Sequence, residues 1–377
     1  AGLLRNELEP SLGLVGNGQE ISIMRSTLIN TGVLTEENGQ IKINLQPSDD
    51  ALRNMLGIIV NFITSAKGTK NVKFEDLYEA LTTDKYHIGM RRGLIPIYLA
   101  AVLHEFKKEV VISDRVGQIP TSVDAVIQIN SDPKLFSLAY LDWNFAKDAY
   151  VKSLEAIFGD FVVDAEKNVN GYDYIVYAMK RWYMALPKYA KELRKDADGK
   201  PVNGKYRTFI LELKKNSGNI DFLFKKILEI FGYDTVENNE ELIRDISEMK
   251  KFYDDVLHVL VEKMAAFVKE TFANRIDVKN YEKMSLGSVV KDWCEQLDSS
   301  VFEQLFGNGT ERCLDIFKNG TNDTEELVRT LGKTATDLRL EDWDNDVISL
   351  FKNNMVKYKN TAEGFHKTEE AAGADKK

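Results

Sequence analysis

Arg91-Arg92-Gly93 opens into Leu94-Ile95-Pro96-Ile97-Tyr98-Leu99-Ala100-Ala101-Val102-Leu103, a run that is apolar on almost every side of a helix. A helix apolar all round must be buried all round, because apolar surface left in water forfeits roughly 25 cal/mol per Å². The helix from Gly93 to Phe106 is therefore expected at the centre of a domain, with Leu94, Ile95, Ile97, Leu99, Val102 and Leu103 in the core. Its basic entrance, Arg91 and Arg92, is one of few places where chemistry or a partner contact can concentrate.

Around that helix the N-terminal third is built of short elements. Ile21 to Asn30 has helical spacing and stops at Thr31-Gly32-Val33-Leu34, and Ile41 to Leu45 alternates as a strand after the turn Glu37-Asn38-Gly39-Gln40. Pro47-Ser48-Asp49-Asp50 caps a helix from Ala51 to Ser65, and Phe74 to Leu81 is amphipathic. Beyond the apolar helix, Val110 to Ser113 with the Gly117 turn predicts a β-hairpin, Ser122 to Gln128 a short helix, and Phe136 to Tyr140 a second sheet edge. Helix, turn, helix, hairpin is the order of a winged helix, so residues 1–142 read as a winged-helix-like module.

From Asn144 the period is helical. Helices are predicted over Asn144 to Phe158, Gly171 to Ala185, Tyr206 to Asn216, Ile220 to Phe231, Val236 to Thr271, Leu286 to Leu297, Ser299 to Phe306, Thr310 to Lys318, Thr324 to Thr336 and Asp344 to Lys359. The helix beginning at Val236 exceeds the usual globular length, so it bridges subdomains or forms half of a coiled pair. Residues 143–235 read as a helical domain with a basic segment, 236–366 as the long helix and a C-terminal helical bundle, and 367–377 as a disordered tail. The fold class is mainly α, a winged-helix-like N-terminal module with a short β-hairpin followed by a multi-helix array.

A chain of 377 residues, 44% hydrophobic, can bury a substantial core, and its length fits two or three domains. The formal charge of −9 sets its surface as a whole against nonspecific nucleic-acid binding, which only a local basic patch reverses. Cys294 and Cys313 are too few for a disulfide framework or a metal site, so a cytoplasmic location is expected. No apolar run approaches the roughly 20 residues needed to span a bilayer, which leaves no membrane role, and no basic-then-apolar leader opens the chain. The start Ala1-Gly2-Leu3-Leu4 reads as a piece cut from something larger.

No catalytic constellation emerges. Gly332-Lys333-Thr334 ends like a phosphate loop, but Leu327 stands where the first glycine belongs and no strand precedes it, so an ordinary helix is expected. Gly13 to Gly18 lacks the strand and long helix of a dinucleotide site and reads as a turn. His87, His104, His258 and His366 are too scattered to share a metal. His104 beside Glu105 suits the negative end of the apolar helix better than it suits general-base work. Cys294 reads as a packed thiol, and Asp254-Asp255 and Glu240-Glu241 as solvated charge. The expectation is no catalytic, cofactor-binding or metal-binding residue.

One segment exceeds background. Between Lys180 and Lys226 there are thirteen basic and five acidic residues, an excess of eight in a chain whose total is −9. Trp182, Tyr183, Tyr189 and Tyr206 are interleaved, and basic plus aromatic is the composition of a phosphate-tracking groove with base-stacking platforms. Lys180, Arg181, Trp182, Lys188, Lys191, Arg194 and Lys195 are the candidate nucleic-acid or partner-binding residues, together with Arg91 and Arg92. The bland alternative makes the aromatics core and the lysines a solvated rim beside acidic helices.

Tyr86 to Ala100, Asn130-Ser131-Asp132-Pro133-Lys134-Leu135-Phe136 and Met179 to Ala190 together resemble the region downstream of the nucleotide-binding domain in large P-loop ATPases of bacterial antiphage operons, the BREX-type phage-exclusion ATPases. Leu286 to Trp293 and Leu340-Glu341-Asp342-Trp343 resemble recurring points of that region. The resemblance covers most of the chain but carries no catalytic signature. It implies a non-catalytic region that engages a protein partner of a defence complex, or DNA through the local basic patch, with ATP hydrolysis in a missing N-terminal part. A stand-alone winged-helix DNA-binding regulator is the alternative, and an enzyme of unrecognised type the third reading. A glycine-rich phosphate loop upstream would favour the first; a chain that begins naturally at Ala1 would favour the second.

Overall fold

The computed structural model describes residues 1–68, 71–169, 171–196, 198–215, 218–237, 240–273 and 281–365. The expected tail 367–377, His366 and Asn216, the expected end of one helix, lie outside the described residues. The chain is mainly α with a small antiparallel sheet. It forms two compact units, the first made of Ala1–Met184 and Leu211–Ile246, the second of Ala185–Ile210 and Ser247–Lys377.

In the first unit, α1 (Gln19–Met24) continues as a π turn, Arg25–Ile29, and the hairpin β1 (Leu34–Glu37) and β2 (Gln40–Ile43) follows. The hairpin turns on Asn38-Gly39 with φ of 52° and 77°, the positive pair that a two-residue type I′ loop requires. Leu34, expected in the helix stop, is thus a strand residue opposite Ile43. In α2 (Asp50–Ser65) the Asp49 carboxylate accepts the Leu52 N–H at 2.7 Å, a helix N-cap, and Met55, Leu56, Ile59, Phe62 and Ile63 form the buried stripe.

Next come β3 (Val72–Lys73), α3 (Phe74–Thr82) and α4 (Ile95–Glu105), the apolar helix, in which Ile95, Leu99, Ala101, Val102 and Leu103 are all 0% exposed. Leu94 and Ile97 are half-buried against the same core. Then follow β4 (Val110–Ser113), β5 (Gln118–Ile119), α5 (Val123–Ser131) and β6 (Ser137–Tyr140), in a sheet ordered β3-β6-β4-β5 with every pair antiparallel. Leu138 pairs with Val72 on one side and Ile112 on the other, so the segment expected as an edge is an interior strand. Its outer partner is two residues long, too short for alternation to show in the sequence.

The chain continues through α6 (Phe145–Phe158), α7 (Asp164–Lys167), α8 (Asp173–Ala185), α9 (Lys188–Glu192), α10 (Gly204–Lys214), α11 (Asn219–Asp221), a π turn at Phe222–Lys226 and α12 (Ile227–Phe231). The first unit packs straight across residue 142. Trp143 stacks on Tyr172 at 5.4 Å and meets Phe224 edge-on at 5.9 Å, Lys108 pairs with Asp148 at 2.6 Å, and the Tyr150 hydroxyl donates to the Leu223 carbonyl at 3.3 Å.

The long helix α13 (Glu240–Phe272) belongs to the first unit as far as Ile246 and to the second beyond it. In the second unit α14 (Leu286–Glu295), α15 (Thr310–Asn319), α16 (Thr324–Thr336) and α17 (Asn345–Glu363) surround Phe272, Trp293 and Phe317, whose rings meet edge to face at 4.7–6.0 Å. Ser299 to Phe306, expected as a helix, is only a 3₁₀ turn over Ser299–Glu303, since Gly307 and Gly309 follow at φ of 68° and 91°. Gly332-Lys333-Thr334 lies inside α16, and a Cβ on Gly332 would stand 2.9 Å from Cζ2 of the buried Trp343. That glycine allows an indole to approach a helix; it does not wrap a phosphate.

Candidate functional site

The sequence-derived candidates disperse. Arg92 donates through Nε and Nη2 to the Asn130 carbonyl, at 2.8 and 2.5 Å, and through Nη2 to the Ser131 carbonyl at 3.0 Å, with its guanidinium 5.4 Å from the Tyr78 ring centroid. It satisfies the orphan carbonyls at the end of α5. Arg91 beside it is exposed. Arg181 forms a fork on Glu166 at 2.9 and 2.8 Å while its Nε donates to the Phe161 carbonyl at 2.8 Å, so its charge is matched within the chain.

Trp182 is 1% exposed and meets Phe158 edge-on at 5.4 Å, and Tyr189 is 3% exposed. The stacking role expected of Trp182 is therefore overturned: its ring is core and no base can reach it. Lys188, Arg194 and Lys195 are exposed and Lys191 half-buried, all four in the second unit, whereas Lys180, Arg181 and Trp182 belong to the first.

Lys180 faces somewhere else. Asp173, Tyr177 and Lys180, at i, i+4 and i+7, share one side of α8, while Ile175, Val176, Met179 and Trp182 are buried. The polar side opens into a cleft of about 550 Å³. Lys107 and His104 enter it from the end of α4, Asp114 and Gln118 from the β4–β5 hairpin, and Asn219 from α11.

The Gln118 side chain bridges two walls of this cleft. Gln118 Oε1 accepts the Ile220 N–H at 3.3 Å, and a Cβ on Gly218 would lie 2.3 Å from that oxygen. A side chain at residue 218 would have to displace the Gln118 amide from this contact. Asp114 is committed to its own turn, accepting the N–H groups of Val116 and Gly117 at 2.7 and 2.9 Å. His104 Nδ1 lies 3.0 Å from the Leu3 carbonyl, and burial lowers its pKa, so the ring is a neutral donor that ties down the N-terminal segment.

Asp173, Lys180 and Lys107 line the cleft, with Asp221 also on its wall. Asp173 accepts from Asn219 Nδ2 at 2.9 Å, yet burial holds its carboxyl above the ordinary carboxylate range against the pull of Asn219 and Lys180. Burial lowers the pKa of Lys180, which Asp173 partly restores, and likewise that of Lys107, whose Nζ donates to the Asn6 carbonyl at 3.1 Å. Burial, with Asp173 close by, raises Tyr177. The arrangement is one of desolvated groups of both signs, in which Asp173 and Lys180 partly offset the cost of each other's burial.

The signal that would have found this cleft is the polar i, i+4, i+7 stripe on an otherwise apolar helix. Among the described residues no group of three His, Cys, Asp or Glu is placed to hold a metal ion, and no helix is long and apolar enough to cross a membrane. No family model, curated protein or solved structure matches this chain.

Proposed function

We propose that this chain is a non-catalytic binding region whose cleft takes a small dipolar molecule, its anionic group opposite Lys107 and Lys180 and its cationic or N–H group opposite Asp173. The observation that carries the reading is the cleft itself, where opposite charges from α8 and the end of α4 open into one cavity of small-molecule size. Burial works against the charged form of all three groups, and a dipolar ligand supplies each with a counter-charge. Binding rather than chemistry is favoured because Asp114 and His104, the other candidates for proton transfer, are occupied by backbone partners. In a larger antiphage ATPase of the kind the sequence resembles, this region would report ligand or partner occupancy to the nucleotide-binding part.

The winged-helix-like reading of the N-terminal residues is supported by the order α2, β3, α3, α4, β4, with β6 seated between β3 and β4. Within α4 only Glu105 is exposed and Pro96, Ile97 and His104 are half-buried, which leaves little of this helix to lie in a DNA groove and favours a packing role for it. The stand-alone regulator is therefore the weaker reading.

Thermal unfolding of the whole chain with β-alanine, γ-aminobutyrate and ε-aminocaproate, against acetate and methylammonium at equal ionic strength, tests the proposal. A dipolar probe at about ten times its Kd should add roughly 1.4 kcal/mol of stability. The increment should vanish in Asp173→Asn and in Lys180→Met. If no dipolar probe exceeds the singly charged ones, the reading fails.

A further inference from the structure

In the second unit, α9 and the residues after it run beside the middle of α13 and leave a groove of about 330 Å³. Its walls are apolar: Tyr189 and Leu193 on one side, Phe252, Val256 and Val259 on the other, with Val259 39% exposed. The α13 residues recur at i, i+4 and i+7 on one face of that helix, Val256 buried and Phe252 half-buried at the floor of the groove and Val259 exposed at its mouth.

The rim is acidic, with Asp196, Glu248 and Asp255 against the single base Lys251. Neighbouring acids outside the groove are neutralised within the chain, Asp254 by Lys250 at 2.6 Å and Asp198 by Lys263 at 2.9 Å. Among the described residues, Glu248 and Asp255 have no such partner. Asp196 is fixed by its own turn, accepting the N–H groups of Asp198 and Lys200 at 3.0 and 2.8 Å.

We propose that this groove docks an amphipathic helix of a protein partner, whose apolar side chains enter between Leu193 and Val256 and whose Lys or Arg residues meet Glu248, Asp255 and Asp196. The groove has room for two or three aliphatic side chains, the scale of helix-in-groove recognition, where anchors repeat at i, i+3 or i+4, and i+7. Charge on the lining selects the occupant: three carboxylates against Lys251 disfavour an acidic helix and draw a basic one. The site lies wholly in the second unit and stands independently of the cleft.

The test uses the full chain and labelled helical peptides of about three turns, roughly 11 residues, bearing leucines at i, i+4 and i+7. One peptide carries flanking lysines and its control carries glutamates at the same positions. Fluorescence anisotropy should show saturable binding of the lysine peptide alone, weakening as salt is raised. Val259→Asp should abolish binding, and because Val259 is already partly exposed the fold should survive that change. The pair Glu248→Gln and Asp255→Asn should weaken binding roughly five-fold, as two rim ion pairs imply. Equal binding of the two peptides, no binding of either, or binding unchanged in Val259→Asp would overturn the proposal. So would sedimentation showing a dimer of the chain that Val259→Asp breaks, since the occupant would then be a second copy.

Discussion

Asp173 and Lys180 stand seven residues apart on the cleft side of α8, about 10 Å along the helix axis, and each partly offsets what burial costs the other's charge. The pH dependence follows from the signs. The folded Asp173 pKa is raised, so the folded state holds the proton to higher pH than the unfolded chain, and this residue's contribution to stability falls as pH rises above the ordinary carboxylate range. Asp173→Asn keeps an oxygen that can accept from Asn219 and removes the charge. Chemical denaturation should find the variant more stable at pH 7 by about 0.5–2 kcal/mol, with the gain vanishing below about pH 4. A loss of stability at pH 7 would mean that the carboxylate is structurally required.

Leu99 is 0% exposed at the centre of α4. Leu99→Ala should cost about 2–5 kcal/mol through lost transfer energy and a residual cavity. Urea melts measure it, and a cost below about 0.5 kcal/mol would contradict the burial of this helix.

Trp182 separates two accounts of the basic segment. As a core ring against Phe158, its replacement by alanine should cost about 3–5 kcal/mol of stability. Single-strand affinity measured by anisotropy on the folded fraction should be unchanged. Any DNA binding should instead follow the exposed Lys188, Arg194 and Lys195, each contributing about one unit of salt slope.

Gly332 gives a sign test. In most helices Gly→Ala gains up to about 1 kcal/mol, but here the new Cβ would meet the Trp343 ring at 2.9 Å. Gly332→Ala should therefore destabilise by about 1–3 kcal/mol. A gain on thermal melting would show that the indole has room to move.

Much of the fold could be read where a local signal decides the structure. The Asp49 cap, the α16 span and the apolar α4 depend on neighbours in sequence, and they are found where expected. The elements missed owe their conformation to distant partners: β3 is a strand because β6 pairs with it, and Leu34 because Ile43 lies opposite. The candidate site was legible in composition but not in direction. Lys180, Arg181 and Trp182 are consecutive, and a helix turns about 100° per residue, so the three reach the cleft, Glu166 and the core respectively. A count of charges along the sequence adds together residues that the helix sends apart.

Isothermal titration of ε-aminocaproate, γ-aminobutyrate and β-alanine into the intact chain measures the cleft most directly. A dipolar ligand held between Asp173 and the two lysines should give a saturable, single-site heat that grows weaker with salt, depends on the spacing of the ligand's charges, and disappears in both Asp173→Asn and Lys180→Met. Heats that are absent for all three probes, or identical in the two variants and the parent chain, would show that these buried charges serve the fold and not a ligand.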